Sequence, residues 1–104
     1  MTLAELKAIV ASIGIPCAYG FFPQAQAPPY IVFAETYRNP IYADGVVIYA
    51  EPSILLRFYS QTRDLTTERL IEATLATHKI AYDTPDYEYD EDQGVHIASY
   101  YFAI

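Results

Sequence analysis

Three features of the chain predict an α+β fold: one antiparallel sheet with two helices packed on one face and an extended hairpin. Two segments carry helical hydrophobic spacing, and several runs rich in aromatic and β-branched residues read as strands. The elements do not alternate β-α-β, which argues against a doubly wound parallel sheet. An Asp-Gly pair between two apolar runs supplies the third feature, a strong hairpin signal.

The elements follow in order. Thr2 and Glu5 match a capping box, and Leu3, Leu6, Val10 and Ile13 share one face of a helix over residues 2–13. Gly14 and Pro16 end it. Residues 17–22 read as a short strand stopped by Pro23, and residues 24–29 as a loop, because the prolines at its end lack ladder donors. Tyr30 to Tyr37 reads as a strand. Ile41–Ala43 and Val46–Tyr49 then flank Asp44-Gly45, a turn in which both central residues favour positive φ. Pro52 either bends the strand that follows or marks an exposed edge. Beyond it Ile54, Leu56 and Phe58 alternate with Leu55, Arg57 and Tyr59, the pattern of a strand with one face on a core. Asp64 or Thr66 caps a second helix over 66–79, whose spacing is set by Leu70, Ile71, Thr74, Leu75 and His78. Tyr87–Asp90 and Val95–Phe102 close the chain as a strand pair turning at Asp92-Gln-Gly94.

Residues 1–104 fit one domain with one modest core. Hydrophobic residues make up 53% and charged residues 18%, far from the composition of disordered chains. A net charge of −7 repels phosphate backbones, which disfavours tight nucleic-acid binding. The lone Cys17 cannot form an internal disulfide. The start of the chain lacks the basic and apolar regions of a signal peptide, and no apolar run reaches the ~18 residues a membrane helix needs. A soluble product made in the cytoplasm is the expectation.

No catalytic constellation emerges, so the chain is read as a non-enzyme without cofactor or metal. The run from Asp83 to Asp92 holds Asp83, Asp86, Glu88, Asp90, Glu91 and Asp92. Asp86, Glu88 and Asp90 fall at alternate positions, as in a calcium loop, but Glu91 stands where that loop needs Gly and Ile97 where it needs Glu. A solvated hairpin face explains the run better, with Glu88 and Asp90 on one side and Tyr87 and Tyr89 on the other. His78 and His96 are scattered, and with a single cysteine they do not form a zinc signature. Nothing marks Cys17 as an activated thiol, and Gly-rich phosphate loops and nucleophile elbows are absent from the sequence.

The eleven tyrosines say more, since Tyr suits surfaces that are wet alone and buried in a complex. Tyr37, Tyr42 and Tyr49 surround the hairpin, whose apolar residues are costly to expose and whose two strands are marginal in isolation. The hairpin either folds onto the parent sheet or extends to be covered by a neighbouring subunit. Candidate subunit contacts are Tyr37, Tyr42, Val47, Tyr49 and Arg57, with Arg38 and Arg63 as partners for acidic neighbours.

Several segments carry a resemblance. Met1-Thr-Leu-Ala-Glu-Leu-Lys7, Gly14-Ile-Pro-Cys-Ala-Tyr19, Phe22-Pro23, Gln26-Ala-Pro-Pro-Tyr-Ile-Val-Phe33 and Ile54-Leu-Leu-Arg-Phe-Tyr59 resemble small proteins from the head–tail connection and tail modules of long-tailed bacteriophages and prophages of Gram-positive hosts. The resemblance implies a tail terminator, or tail-to-head joining protein. That family implies an α+β fold and a hexameric ring in the virion neck that caps the tail tube, meets the head connector or stopper, and lets DNA pass without specific binding. It transfers no catalytic residues. An acidic lumen suits a sliding duplex, and Asp86, Glu88, Asp90, Glu91 and Asp92 are its candidates. The alternatives are another neck or adaptor protein, a monomeric protein-binding module, and a small hydrolase or nuclease-associated factor using the acidic run with a divalent metal.

Overall fold

The computed structural model describes residues 1–83 and 85–104, and of residues 37–40 and 47–52 the backbone only. Helix α1 (Leu3–Ala11) starts at Thr2, whose Oγ1 accepts the Glu5 amide at 3.1 Å. The Glu5 carboxylate accepts the Thr2 hydroxyl in return. The chain leaves the helix through Gly14, whose φ of 91° few other residues tolerate. Strands β1 (Cys17–Tyr19), β2 (Tyr30–Ala43) and β3 (Val46–Ser60) follow, then helix α2 (Leu65–Thr77), then β4 (Asp86–Asp90) and β5 (Val95–Phe102). The order across the five-stranded sheet is β1-β2-β3-β5-β4. The fold is α+β.

The sheet departs from the sequence expectation in two ways, and at Pro52 it follows one of the two alternatives left open. First, β1 runs parallel to β2, with Cys17 opposite Ile31 and Tyr19 opposite Phe33. Gly20, at φ 80°, ends β1 earlier than the expected residue 22. The loop 20–29 is then long enough to carry the chain back to the start of β1, where the Ile31 amide donates to Pro16 O at 2.9 Å. Second, the two strand segments expected on either side of Pro40 form one strand. The β2–β3 ladder absorbs the irregularity by shifting register between Arg38 and Ile41 and again before Tyr42. At Pro52 the edge alternative holds: β3 continues through this residue, which sits opposite Tyr37. Because β5 joins β3 only from Ile54 onward, Pro52 lies where one side of β3 has no neighbouring strand among the described residues, a place where its missing donor is tolerated.

Register aligns the core. Across β2, β3 and β5 the rows Ile31–Phe58–Ala98 and Phe33–Leu56–Tyr100 share one face, with Ile54 and Phe102 beside them. All eight are buried and form a single cluster with Leu6 and Val10 of α1, Ile71 and Leu75 of α2, and Ile80. Leu70, assigned to the apolar stripe of the second helix, is instead 46% exposed. The buried stripe is Glu68, Ile71 and Leu75, at i, i+3 and i+7. Burying Glu68 is tolerable because Arg63 reaches it with Nε at 3.3 Å and a second guanidinium nitrogen at 3.4 Å. Asp64 caps α2, its Oδ1 accepting the Thr67 amide at 3.0 Å. The Thr67 hydroxyl first, and then that amide, hold the Asp64 carboxyl below its ordinary pKa.

Three tyrosines are tied to the packing. Burial first, reinforced by the hydrogen bond to Glu72, raises the Tyr100 pKa far above 10.0. Burial and the Glu72 charge raise Tyr82, and burial and Tyr59 raise Tyr30. The folded state therefore holds these protons more tightly than the unfolded chain does. Their contribution is complete below pH about 10 and is lost as pH rises past it. We expect Tyr100 to ionise in an alkaline titration only as the fold is lost. Complete tyrosinate absorbance with an unchanged circular dichroism spectrum would contradict this.

Candidate assembly surface

The second strand pair positions the first candidate surface. The β1 ladder spans Ile31–Phe33 of β2, and the β5 ladder spans Ile54–Ser60 of β3. Residues 37–43 and 46–52 consequently form a two-stranded ribbon with no third strand among the described residues. At its end Asp44 and Gly45 adopt φ 52° and 76°, the tight turn their sequence predicts. Ile41, Tyr42 and Val46 are 52%, 63% and 62% exposed. The ribbon leaves the parent sheet instead of folding onto it. The side chains of Tyr37, Arg38, Val47 and Tyr49 lie outside the described residues, so Tyr42 is the described contact candidate on the ribbon.

The second surface is the sheet face opposite the core. Strand alternation and register set Tyr30, Tyr59, Ile97 and Glu88 in one row and Val32, Arg57, Ser99 and Asp86 in the next. Tyr30 and Tyr59 stack with ring centres 4.6 Å apart, a pairing hidden in the sequence by the distance between the two residues. A shallow hollow of about 730 Å³ opens here, with Arg57, Glu88, Asp90, Glu91 and Asp92 along its lining. Arg57, assigned to subunit contacts, thus shares a surface with four of the acidic lumen candidates. Asp86 follows on the same face of β4. Arg57 is exposed and makes no ion pair among the described residues. One cation therefore offsets part of the acidic field.

Two candidates have other duties. Asp90 is half-buried, and its Oδ1 accepts the amides of Asp92 at 3.0 Å and Gln93 at 3.3 Å, fixing the β4–β5 turn. Asp86, Glu88, Glu91 and Asp92 remain as exposed charges. We expect Asp90→Ala to cost about 1 kcal/mol by leaving those amides uncapped. Glu91→Gln with Asp92→Asn should leave stability within about 0.5 kcal/mol; urea denaturation of the two variants checks both values. Arg63 is also committed within the chain. Besides holding Glu68, its guanidinium lies 3.6 Å from the centre of the Tyr87 ring. Tyr87 in turn stacks on His96 and hydrogen-bonds its Nδ1. Tyr87 and Tyr89 do face away from Glu88 and Asp90, on the side of Arg63 and His96.

A third feature escaped sequence reasoning. Between the start of α1 and the sheet edge, Leu3, Ala4, Lys7, Tyr19 and Phe33 surround a hollow of about 220 Å³. Tyr19 packs edge-on against Phe33, with centres 5.6 Å apart, and its hydroxyl accepts the Glu35 amide at 3.3 Å, just beyond the end of β1. Only the parallel placement of β1 creates this groove. Cys17 packs half-buried against the core, and His78 Nδ1 hydrogen-bonds the Thr74 carbonyl oxygen at 3.0 Å. No group of three or more His, Cys, Asp or Glu side chains among the described residues is arranged to hold a metal ion. None of the described helices is long and apolar enough to cross a membrane. Compared with known proteins, the chain matches no family model and no curated sequence.

Proposed function

We propose that this chain is a structural assembly protein, a ring-forming tail terminator that caps a phage tail tube and joins it to the head connector. The observation that carries this reading is the ribbon with Ile41, Tyr42 and Val46 exposed at its end. A two-stranded ribbon is marginal in water, and exposed apolar side chains gain free energy when a neighbour covers them. A projecting element that meets a different surface on the next copy gives a heterologous contact, the kind that closes into rings. The phage setting comes from the sequence resemblance. The exposed carboxylates Asp86, Glu88, Glu91 and Asp92 support a lumen that repels a passing duplex, repeated once per copy.

Light scattering of the full chain, alone and with tail tube protein, tests assembly. Electron micrographs of phage particles made without this protein test the role. A ring together with tails of abnormal length is expected. Normal tails beside unattached heads would reassign the chain to another neck position, and a monomer in both mixtures with normal particles would overturn the proposal.

A further inference from the structure

We infer that the ribbon tip of one copy seats in the apolar groove between α1 and β1 of the next copy, an inference that rests on the assembly proposed above. The groove is walled by Leu3, Ala4, Tyr19 and Phe33, with Lys7 completing the lining. At about 220 Å³ it falls below the ~300–1,000 Å³ of small-molecule pockets, and suits one or two protein side chains. The tip offers side chains of that kind. Ile41, Tyr42 and Val46 are each more than half exposed, and together they flank the Asp44-Gly45 turn.

A copy cannot fill its own groove. Phe33 in the groove wall belongs to the same strand as the tip, and at the ordinary strand rise it lies roughly 30 Å from Ala43. The tip points away from the wall it would have to enter. The ribbon projects roughly 20 Å beyond the wider sheet at that same rise, enough to reach across most of a neighbour whose shortest dimension is 28 Å.

Charge favours a second copy in one orientation. Asp44 stands at the apex of the turn and Lys7 beside the groove, and neither makes an ion pair among the described residues. Among the described residues Lys7 is the one charged side chain in the groove lining, so an apolar tip crowned by a carboxylate matches it in both chemistry and sign. Such a pair sets orientation more than affinity, which comes from the covered apolar side chains. Tip and groove are different surfaces of one chain, so the contact repeats from copy to copy.

Cross-linking tests the contact. In a Cys17→Ala background, Ala4→Cys and Ala43→Cys are prepared as separate full-length proteins, mixed, and treated with a short bis-maleimide. Both alanines are exposed, so these changes leave the packing intact. A covalent dimer joining residues 4 and 43 is expected in the mixture and not in either protein alone, with its yield reduced several-fold by adding Lys7→Glu. Multimers by light scattering without that dimer would overturn the tip-in-groove contact while leaving ring assembly standing. A monomer without the dimer would overturn both. Linkage of residue 4 to added tail tube protein in place of residue 43 would show that the tube occupies the groove, and would also overturn it.

Discussion

Replacing Tyr100 with Ala is expected to remove about 3–5 kcal/mol of stability, the largest single effect in the chain. Tyr100 is fully buried and ends the core row Phe33–Leu56–Tyr100 on β5. Its ring meets Tyr82 edge-on at 5.6 Å, and its hydroxyl donates to Glu72 Oε2 at 3.0 Å. Truncation deletes a large apolar surface, opens a cavity between sheet and α2, and takes one donor from Glu72. Since small domains are stable by only about 5–15 kcal/mol, the variant loses a large share of that margin. Tyr100→Phe separates the two contributions. It keeps the packing and loses only the hydrogen bond, for about 1 kcal/mol. Urea denaturation should show both midpoints shifted with an unchanged slope. Equal losses for the two variants would mean that the hydroxyl, and not the ring, dominates.

The second large effect falls on assembly and leaves the fold alone. Tyr42→Glu combined with Val46→Glu places charges where the ribbon carries exposed apolar side chains. Because both side chains face water in the single copy, stability should stay within about 0.5 kcal/mol of the parent chain. If a neighbour covers them, each lost burial weakens the contact by ~1.5–3 kcal/mol. Two such losses reduce association by roughly a hundred- to ten-thousand-fold, before the cost of desolvating the new charges is counted. Light scattering should then find monomers where the parent chain forms multimers. Unchanged multimers would show that the ribbon tip is not a subunit contact.

Local patterns predicted what short stretches of chain can settle alone. Thr2 with Glu5 capped α1, Asp44-Gly45 closed the hairpin, and alternation put Tyr87 and Tyr89 opposite Glu88 and Asp90. Each of these depends on residues a few positions apart. Leu70 shows where that logic fails. Hydropathy placed it inside, yet the helix buries Glu68 at the stripe position, because Arg63 arrives from the preceding loop to hold the carboxylate. The candidate site was legible in part. The ribbon followed from the hairpin signal, but Arg57 joined the acidic residues only because β5 lies between β3 and β4. Asp90 could not be separated from its acidic neighbours until its bonds to the turn amides were visible.

By itself, then, the sequence determined the helices, the tight turn, the alternating core faces of the strands and the acidic character of the surface. All of these arise from contacts between near neighbours or from composition. Strand order, the parallel placement of β1, the passage of β3 through Pro52 and the groove beside Lys7 were decided by the tertiary structure. Each requires segments far apart in the chain to meet, and the free energy of such pairing depends on which partner strand is present, a quantity no local window of residues contains.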